Sequence, residues 1–549
     1  MLHKCLDEGF NFISKMKRYI FSLGFLLVLV NYSFGQNSFP YTIELKPVNI
    51  PGLPGLHSFA HGQYDNKWLI IGGRKDGLHA RQPFNAFPQS QNNTDIYVID
   101  INTLQFWSST LNNLPVGIKE QLQSTNMNFY QDGNSLFIAG GYAFSSSEND
   151  HITFPNLTAV NVPGLINAVI NGGAIQTNFK QITDDVFAVT GGYLKKLGNT
   201  FYLVGGHRFD GRYNPMGHPS YTQTYTNQIR KFSIHHSESQ LSFSNYETIT
   251  DPVHLRRRDY NLLPQIFPNR EEGFTISSGV FQQEADLPYL YPVDITEKQY
   301  KPVTAFNQYL SNYHSAFFTF YDSTLNKMHS IFFGGISQYY YQDNQLINDK
   351  QVPFVKTISR LTRYADGTLK EYQMPVEMPS LQGASAEFIH NPAVPHFKSG
   401  IIKINQVKED SILVGHIYGG ISSPALNPFN SNRANITSAS NVIYAVTLIK
   451  SKQETGGQLI DGNNPYDIMI YPNPADNSII VKFDLVNKTN VHYYITNPLG
   501  QLVKQEQFVN NSAGVNNFTI RMDDVQPQIL MVTFVFDDKF FVTKKVIKN

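Results

Sequence analysis

Arginine and histidine side chains recur beside short apolar segments, and they are the residues best suited to bind a polar ligand. Arg74 directly follows one glycine pair, and the neighbouring residues His207 and Arg208 directly follow another. A planar guanidinium offers five donors to hydroxyls, carboxylates or sulfates, and it also stacks on aromatic rings. The candidate ligand-binding residues are the arginines Arg74, Arg208, Arg257 and Arg258 and the histidines His57, His207 and His314.

Two aspartates are the candidates for a catalytic role. Cleavage of a glycosidic bond requires two carboxyl groups that flank it. Asp210 and Asp259 fall among the arginines and histidines just named, but the sequence does not give their separation. No phosphate-binding loop, His-Glu-x-x-His motif or EF-hand loop occurs in the sequence. We therefore predict no metal site and no cofactor, and the catalytic residues stay unassigned.

The composition excludes several classes of protein. Lys plus Arg and Asp plus Glu each number 43, so the formal net charge is zero. A neutral chain lacks the basic footprint that binding to nucleic acid or an anionic membrane requires. Aromatic residues make up 13% and charged residues only 16%, which is typical of β-rich proteins. A length of 549 residues indicates more than one domain or a repeat array.

Short apolar strands that end in glycine recur along the chain, with their last glycines 56 to 85 residues apart. Those last glycines are Gly73, Gly141, Gly206, Gly279, Gly335 and Gly420. The pattern of strand, polar turn, strand and glycine pair is similar to the kelch repeat, which forms one four-stranded blade of a β-propeller. The resemblance implies an all-β propeller of six blades within residues 36–450. A seventh, degenerate blade within the longest interval stays open.

In a kelch-type propeller the a–b turns lie on one face of the disc and the b–c loops on the other. Here the a–b turns are mostly short, but the segments after the glycine pairs are long. Long loops often carry function, so we place the working surface on the b–c face. The resemblance puts the candidate arginines and histidines around the channel mouth on that face. It also leaves an alternative, because kelch arginines and histidines commonly bond carbonyls of a neighbouring blade.

The way the ring closes can also be predicted. The last repeat has a third strand over 442–448 and then runs into a polar segment with no fourth strand. The simplest source of the missing strand is the N-terminal segment 41–45. Joining the two ends of the propeller in one blade removes an open sheet edge.

The end of the chain, residues 467–549, carries three landmarks in a fixed order. They are Tyr471, Pro472, Asn473 and Pro474 at the start, Gly500 in a central turn, and Lys544 and Lys545 close to the last residue. Together they resemble the type A sorting domain that sends Bacteroidota proteins through the type IX secretion system. The resemblance implies a small β-sandwich after a linker over 451–466, the secretion machinery as a partner, and delivery to the cell surface or the medium.

The N-terminal residues 1–35 indicate a secretory leader. Met16 begins a basic segment, residues 19–30 are apolar, and small residues precede Gln36. This apolar run is too short to span a membrane. Translation from Met16 would make residues 1–15 an extension, and the only cysteine, Cys5, lies in it. We expect the exported form to begin near Gln36, to lack cysteine and a transmembrane segment, and to lose most of residues 467–549.

Two hypotheses from different classes remain. The first is a secreted or surface-attached protein that binds a glycan or a protein through its b–c loop face. The alternative is a carbohydrate-active enzyme, a hydrolase, lyase or epimerase, with its site at the channel mouth. Binding needs no paired acids, whereas hydrolysis does.

Overall fold

The structure is a computed structural model that describes residues 39–215, 220–237, 239–451 and 457–549. The predicted leader therefore lies outside the described residues. Within them the chain is almost entirely β, with two α-helices, α1 (Val116–Leu122) and α2 (Val162–Asn171). Asn161 caps the start of helix α2, where its side chain accepts a hydrogen bond from the Gly164 N–H at 3.3 Å, and the helix ends before a left-handed Gly172.

Six antiparallel sheets follow one another along the described chain and form the blades of a β-propeller. The first three blades are β2 (Ala60–Tyr64), β3 (Lys67–Ile71), β4 (Asp95–Asp100) and β5 (Gln105–Thr110); β6 (Asn128–Asp132), β7 (Ser135–Ala139), β10 (Asn156–Asn161) and β11 (Phe179–Thr183); and β12 (Tyr193–Leu197), β13 (Thr200–Val204), β16 (Gln228–His236) and β17 (Leu241–Thr250). The fourth and fifth are β18 (Leu262–Ile266), β19 (Glu272–Ile276), β20 (Val293–Ile295) and β21 (Tyr300–Pro302); and β22 (Phe317–Asp322), β23 (Lys327–Ile336), β26 (Phe354–Arg363) and β27 (Leu369–Glu377).

The sixth blade closes the ring with the N-terminal strand, as the sequence predicts. Its strands are β28 (Gln382–His390), β30 (Ser411–Ser422), β32 (Ile443–Lys450) and β1 (Tyr41–Val48), with the short β31 (Ser438–Ala439) beside β30. Strand β1 pairs antiparallel with β32 from Tyr41 opposite Lys450 to Val48 opposite Ile443. Ile43 points inward and is 3% exposed, in the apolar cluster between blades 5 and 6.

The longest interval between the glycine pairs, from Gly335 to Gly420, left a seventh blade possible, but its described residues do not form one. Its extra residues form a hairpin, β24 (Tyr339–Gln342) and β25 (Gln345–Asn348), and a long a–b connection over 391–410. That connection includes β29 (Ile402–Lys403), which runs parallel to β22 of blade 5. Two more b–c segments also fold as hairpins, β8 (Tyr142–Ser145) with β9 (Asp150–Thr153), and β14 (His207–Gly211) with β15 (Tyr221–Tyr225).

The glycine pairs let the blades approach each other closely. A Cβ atom on Gly140 would lie 1.8 Å from the Val189 carbonyl oxygen of the next blade. Gly73 has a φ of +83°, a conformation that side chains disfavour. Apolar clusters fill the junctions between neighbouring blades, so these glycines allow a continuous core around the disc.

A closed ring of backbone hydrogen bonds surrounds the central axis of the propeller, and we call the residues that form it the axial ring. Each blade contributes one residue, and each N–H donates to the carbonyl of the preceding blade. The bonds run from Ser58 to Ser385 (3.1 Å), Asn126 to Ser58 (3.2 Å), Gly191 to Asn126 (3.2 Å), Asp259 to Gly191 (2.8 Å), His314 to Asp259 (2.8 Å) and Ser385 to His314 (2.9 Å). All of these residues except His314 have φ between 51° and 65°. A small cavity against the ring holds about 30 Å³, room for only one or two waters.

The C-terminal residues form two facing sheets, which we call the C-terminal sandwich. One sheet contains β34 (Ile468–Tyr471), β35 (Ser478–Leu485) and β38 (Gly514–Arg521). The other contains β37 (Leu502–Asn511), β36 (Thr489–Thr496), β39 (Gln528–Phe536) and β40 (Phe540–Lys548). Within the segment predicted to be a linker, β33 (Gln458–Ile460) pairs with β27 and extends blade 5.

Candidate functional site

Arg74 lies on the b–c side of the ring, where the sequence places it, but it is only 2% exposed. Its Nε and Nη2 donate to the Asp76 carboxylate at 2.8 and 2.6 Å, and its Nη1 donates to Asn92 Oδ1 at 2.8 Å. The guanidinium also lies 5.3 Å from the Phe87 ring centre. Arg74 therefore anchors the b–c loop of blade 1.

The histidines on the same side are buried too. His57 Nε2 lies 3.8 Å from the Asp76 carboxylate, and His207 Nδ1 lies 2.7 Å from Gln223 Nε2. Burial lowers the pKa of both imidazoles. Both side chains therefore help to hold the loops together.

Arg257 does not lie at the rim, and this corrects the sequence-based expectation. It is fully buried and donates to the carbonyls of His254 (2.8 Å), Ser278 (2.8 Å) and Tyr291 (2.7 Å). Its guanidinium also lies 4.5 Å from the ring centres of Tyr289 and Tyr291. Arg257 therefore binds backbone carbonyls of blade 4 and of the segment that leads into it, instead of facing solvent.

Arg258 and Asp259 form an ion pair beside the axial ring. The Nε of Arg258 donates to Tyr225 Oη at 3.3 Å, and the guanidinium lies 5.0 Å from the Phe281 ring centre. Both charged side chains are about one fifth exposed. Arg258 is therefore a partly accessible cation, and Asp259 is a carboxylate already held by its neighbour.

Arg208 is the most exposed of the candidate arginines, at 47% of its side chain. Its Nε donates to Asp210 at 2.6 Å, and its Nη1 lies 3.3 Å from Asp185. Asp210 also accepts the Thr153 N–H at 3.0 Å, which ties together two b–c hairpins. The two catalytic candidates thus each pair with an adjacent arginine.

The b–c segments pack on one another above the ring. His79 of blade 1 stacks on Phe87 at 4.9 Å and meets Tyr213 of blade 3 edge-on at 4.7 Å. Phe429 of blade 6 lies 5.4 Å from the same imidazole. Burial lowers the pKa of His79 to about 4. This face is thus capped by interlocked aromatic side chains.

A larger cavity, about 300 Å³, lies on the opposite side of the axial ring and faces the a–b turns. We call it the axial cavity. Its lining includes His61, Gln63, Phe129, Tyr130, Gln131, Tyr193, Lys195, Phe318, Glu387, His390, His396 and Lys398. His396 and Lys398 are exposed and belong to the long a–b connection of blade 6, so this segment borders the mouth of the cavity.

Glu387 is the one carboxylate among the described residues that line the axial cavity. Its carboxylate is 3.2 Å from His314 Nε2 and 3.9 Å from His61 Nε2, and its side chain is 12% exposed. His314 belongs to the ring through its backbone and directs its imidazole toward Glu387. This places an acid between two imidazoles at the inner end of the cavity.

The environment perturbs the neighbouring groups strongly. Burial lowers the pKa of His61 to about 4 and that of His390 to about 3, so both are neutral at neutral pH. Burial also lowers the pKa of Lys195, and Glu387 partly offsets this. The pKa of Tyr193 is raised by burial and then by Glu387. Perturbed groups that converge in a cleft are a recognised mark of functional sites.

The sequence did not point to Glu387, Lys195 or His61. Each lies two to four residues beyond an axial-ring residue, on the innermost strand of its blade. A charged or histidine side chain on the innermost strand, a few residues beyond the axial-ring residue, is the signal that could have found them. Within the described residues no group of three acidic, histidine or cysteine side chains could hold a metal ion.

The sorting landmarks lie together in the C-terminal sandwich. Asn473 accepts the Ile547 N–H at 2.9 Å and donates to the Lys545 carbonyl at 2.8 Å, so the first landmark holds the last strand. Lys544 pairs with Asp467 at 3.0 Å. Gly500, with a φ of +82°, occupies the central turn.

Residues 469–549 match the family described as the secretion system C-terminal sorting domain. This confirms the predicted sorting domain. The chain is therefore a β-propeller protein exported by the type IX secretion system to the cell surface or the medium. None of the helices among the described residues is long and apolar enough to cross a membrane.

Three solved structures show distant similarity. The structure of YjhT is 12% identical, with a TM-score of 0.42, covering 76% of this chain and 100% of its own. A glycoside hydrolase family 43 arabinoxylan arabinofuranohydrolase from Bacillus subtilis is 10% identical, with a TM-score of 0.27, covering 90% and 94%. Latent PorU from Porphyromonas gingivalis is 10% identical, with a TM-score of 0.14, covering 57% and 36%. No curated protein matches the sequence.

Proposed function

We propose that this protein is an exported kelch-type propeller that binds a saccharide in the axial cavity. The observation that supports this is a solvent-connected space of about 300 Å³ in which acidic, basic and aromatic side chains converge. That size is at the lower end of the range for small-molecule sites. A short saccharide, or one end of a longer glycan, fits these dimensions.

The lining has the chemistry that a sugar requires. The Glu387 carboxylate accepts hydrogen bonds from hydroxyl groups, and the neutral imidazoles of His61 and His390 each offer one donor and one acceptor. Phe129 and Phe318 supply apolar faces on the same cavity. Polar groups of this kind fix the orientation of a ligand, while the aromatic faces contact its apolar surface.

The b–c face remains a second place for a glycan or protein ligand. Arg208 and Arg258 are the candidate arginines with accessible surface there. Both also pair with an aspartate, Arg208 with Asp210 and Arg258 with Asp259, whereas Arg74 is buried against Asp76. The axial ring separates this face from the cavity, so a ligand at one site does not reach the other.

A carbohydrate-active enzyme is the alternative function. Glu387 beside His314 favours it, because a carboxylate and an imidazole at 3.2 Å can exchange a proton with a bound hydroxyl. Hydrolysis by two carboxyl groups lacks a second acid among the described lining residues. The enzymatic alternative therefore depends on Glu387 with a histidine or Lys195.

A glycan array on the exported protein, followed by calorimetric titration of the strongest hits, tests the proposal. Glu387→Gln keeps the shape but removes the charge, and Glu377→Gln, on an exposed position of blade 5, is the matched control. We expect Glu387→Gln to weaken binding about 10- to 100-fold, since a hydrogen bond to a charged group contributes about 1.5–3 kcal/mol.

Mass spectrometry and NMR spectroscopy of the same saccharides after incubation test the enzymatic alternative, since an epimerase changes configuration without changing mass. Conversion by the wild type that Glu387→Gln abolishes would establish it. Equal affinity of both glutamine variants and the wild type would rule out the axial cavity as the binding site.

A further inference from the structure

The sorting domain packs directly onto the propeller through an apolar surface. Tyr494, Val535 and Phe541 belong to the same buried cluster as Tyr289 and Tyr291 of blade 4. The Phe541 ring lies 5.7 Å from that of Tyr289 and 5.2 Å from that of Tyr291. All five side chains are at most 2% exposed, so the core of the propeller continues into the sorting domain.

Strand alternation explains how one sheet serves two cores. Successive side chains of a strand point to opposite faces. Phe540 lies in the core of the sorting domain, whereas the next residue, Phe541, lies in the blade 4 cluster. Tyr493 and Tyr494 divide in the same way on β36. The sheet of β36, β39 and β40 thus has one face for its own sandwich and another for the propeller.

Polar contacts surround this apolar centre. The turn between β39 and β40 receives hydrogen bonds from Gln282 Nε2 to the Asp538 carbonyl and from Asn307 Nδ2 to the Lys539 carbonyl, both at 3.0 Å. Lys350 of the blade 5 hairpin pairs with the Asp538 carboxylate at 2.9 Å. An apolar centre with a polar rim is the organisation of a specific protein interface.

A second part of the interface involves the sorting landmarks. A Cβ atom on Gly500 would lie 1.8 Å from Pro252 Cγ of the propeller, so the central turn can approach only because this residue is glycine. The preceding segment is fixed as well, since β33 adds a strand to blade 5. The sorting domain and its linker therefore hold the propeller at three separate places.

We propose that the sorting domain stays bound to the propeller as a non-covalent subunit after the chain between them is cut. Cutting one peptide bond leaves the buried aromatic contacts and the polar rim unchanged. Dissociation would expose Tyr289 and Tyr291 to water, which opposes it. Removal of the sorting domain thus requires a partner that displaces it from blade 4, in addition to proteolysis.

A purified full chain with a specific protease site inserted between Ser451 and Gly457 tests this. After complete cutting, verified on a denaturing gel, size-exclusion chromatography with light scattering is run over a dilution series. We expect both pieces to elute together at the mass of the uncut protein. Separate elution of the wild-type pieces at all concentrations would overturn the proposal, whether or not the freed propeller then aggregates.

Two variants keep this test specific. Phe541→Ala removes the central contact but no side chain of the sandwich core, and we expect it to weaken retention at least about 30-fold, the effect of a hot-spot residue. Met469→Ala, 55% exposed on the other sheet, is the control and should retain the sorting domain like the wild type. Equal retention in both variants would also contradict the proposed interface.

Discussion

Arg74→Ala gives a sharp test of the anchoring role of the b–c arginines. Arg74 is 2% exposed and binds Asp76 with two nitrogens, and Asn92 with a third. Breaking a buried pair by removing one partner costs about 3–5 kcal/mol. The Asp76 side chain is 24% exposed and can be rehydrated. We therefore expect Arg74→Ala to lower the free energy of unfolding by about 3 kcal/mol, the lower end of that range. Arg208→Ala is the control, because its pairs are exposed and such pairs contribute about 0–1 kcal/mol.

Urea unfolding followed by tryptophan fluorescence suits this comparison. Both tryptophans of the chain, Trp68 and Trp107, lie on strands of blade 1, the blade whose loop Arg74 anchors. The midpoint should fall clearly for Arg74→Ala and stay near that of the wild type for Arg208→Ala. Equal midpoints for the two variants would refute the reasoning and return Arg74 to the candidates for ligand contact.

Further predictions concern closure, pH and export. Ile43→Ala should destabilise the propeller by about 2–5 kcal/mol because it leaves a cavity between blades 5 and 6, while Glu44→Ala on the exposed face of β1 should not; equal melting temperatures would contradict closure by β1. Burial lowers the pKa of His416 to about 4, so as the pH falls from about 6.5 to about 4 the unfolded chain is protonated before the folded one and the free energy of unfolding decreases. His416→Gln should flatten this part of the plot of stability against pH, and an unchanged slope would contradict the role of His416. Deleting residues 467–549 should leave the propeller in the periplasm, and normal surface levels of that variant would contradict the sorting function.

The blades and their closure could be predicted because their signals are local. A strand that ends in Gly73 or Gly206 needs positive φ where it meets its neighbours, so glycine marks one position in each blade. The N-terminal strand was predictable because the last repeat lacks its outer strand. The sorting domain was predictable because its landmarks are short and ordered.

The axial cavity could not be predicted because it depends on distant residues. Glu387, Lys195 and His61 come from three blades, and only the ring brings their strands around one axis. Long b–c segments suggested a working face, but three of them fold as hairpins and others lock together through aromatic side chains. The docking of the sorting domain depends on which face of β40 meets blade 4, and the sequence places apolar and lysine residues on both faces.

The most direct measurement is a crystal structure of the exported protein with the saccharide that binds it most tightly. We expect electron density for the sugar in the axial cavity, on the a–b side of the ring, within hydrogen-bonding distance of Glu387. Density among Arg208 and Arg258 on the b–c face, with the axial cavity empty, would contradict it.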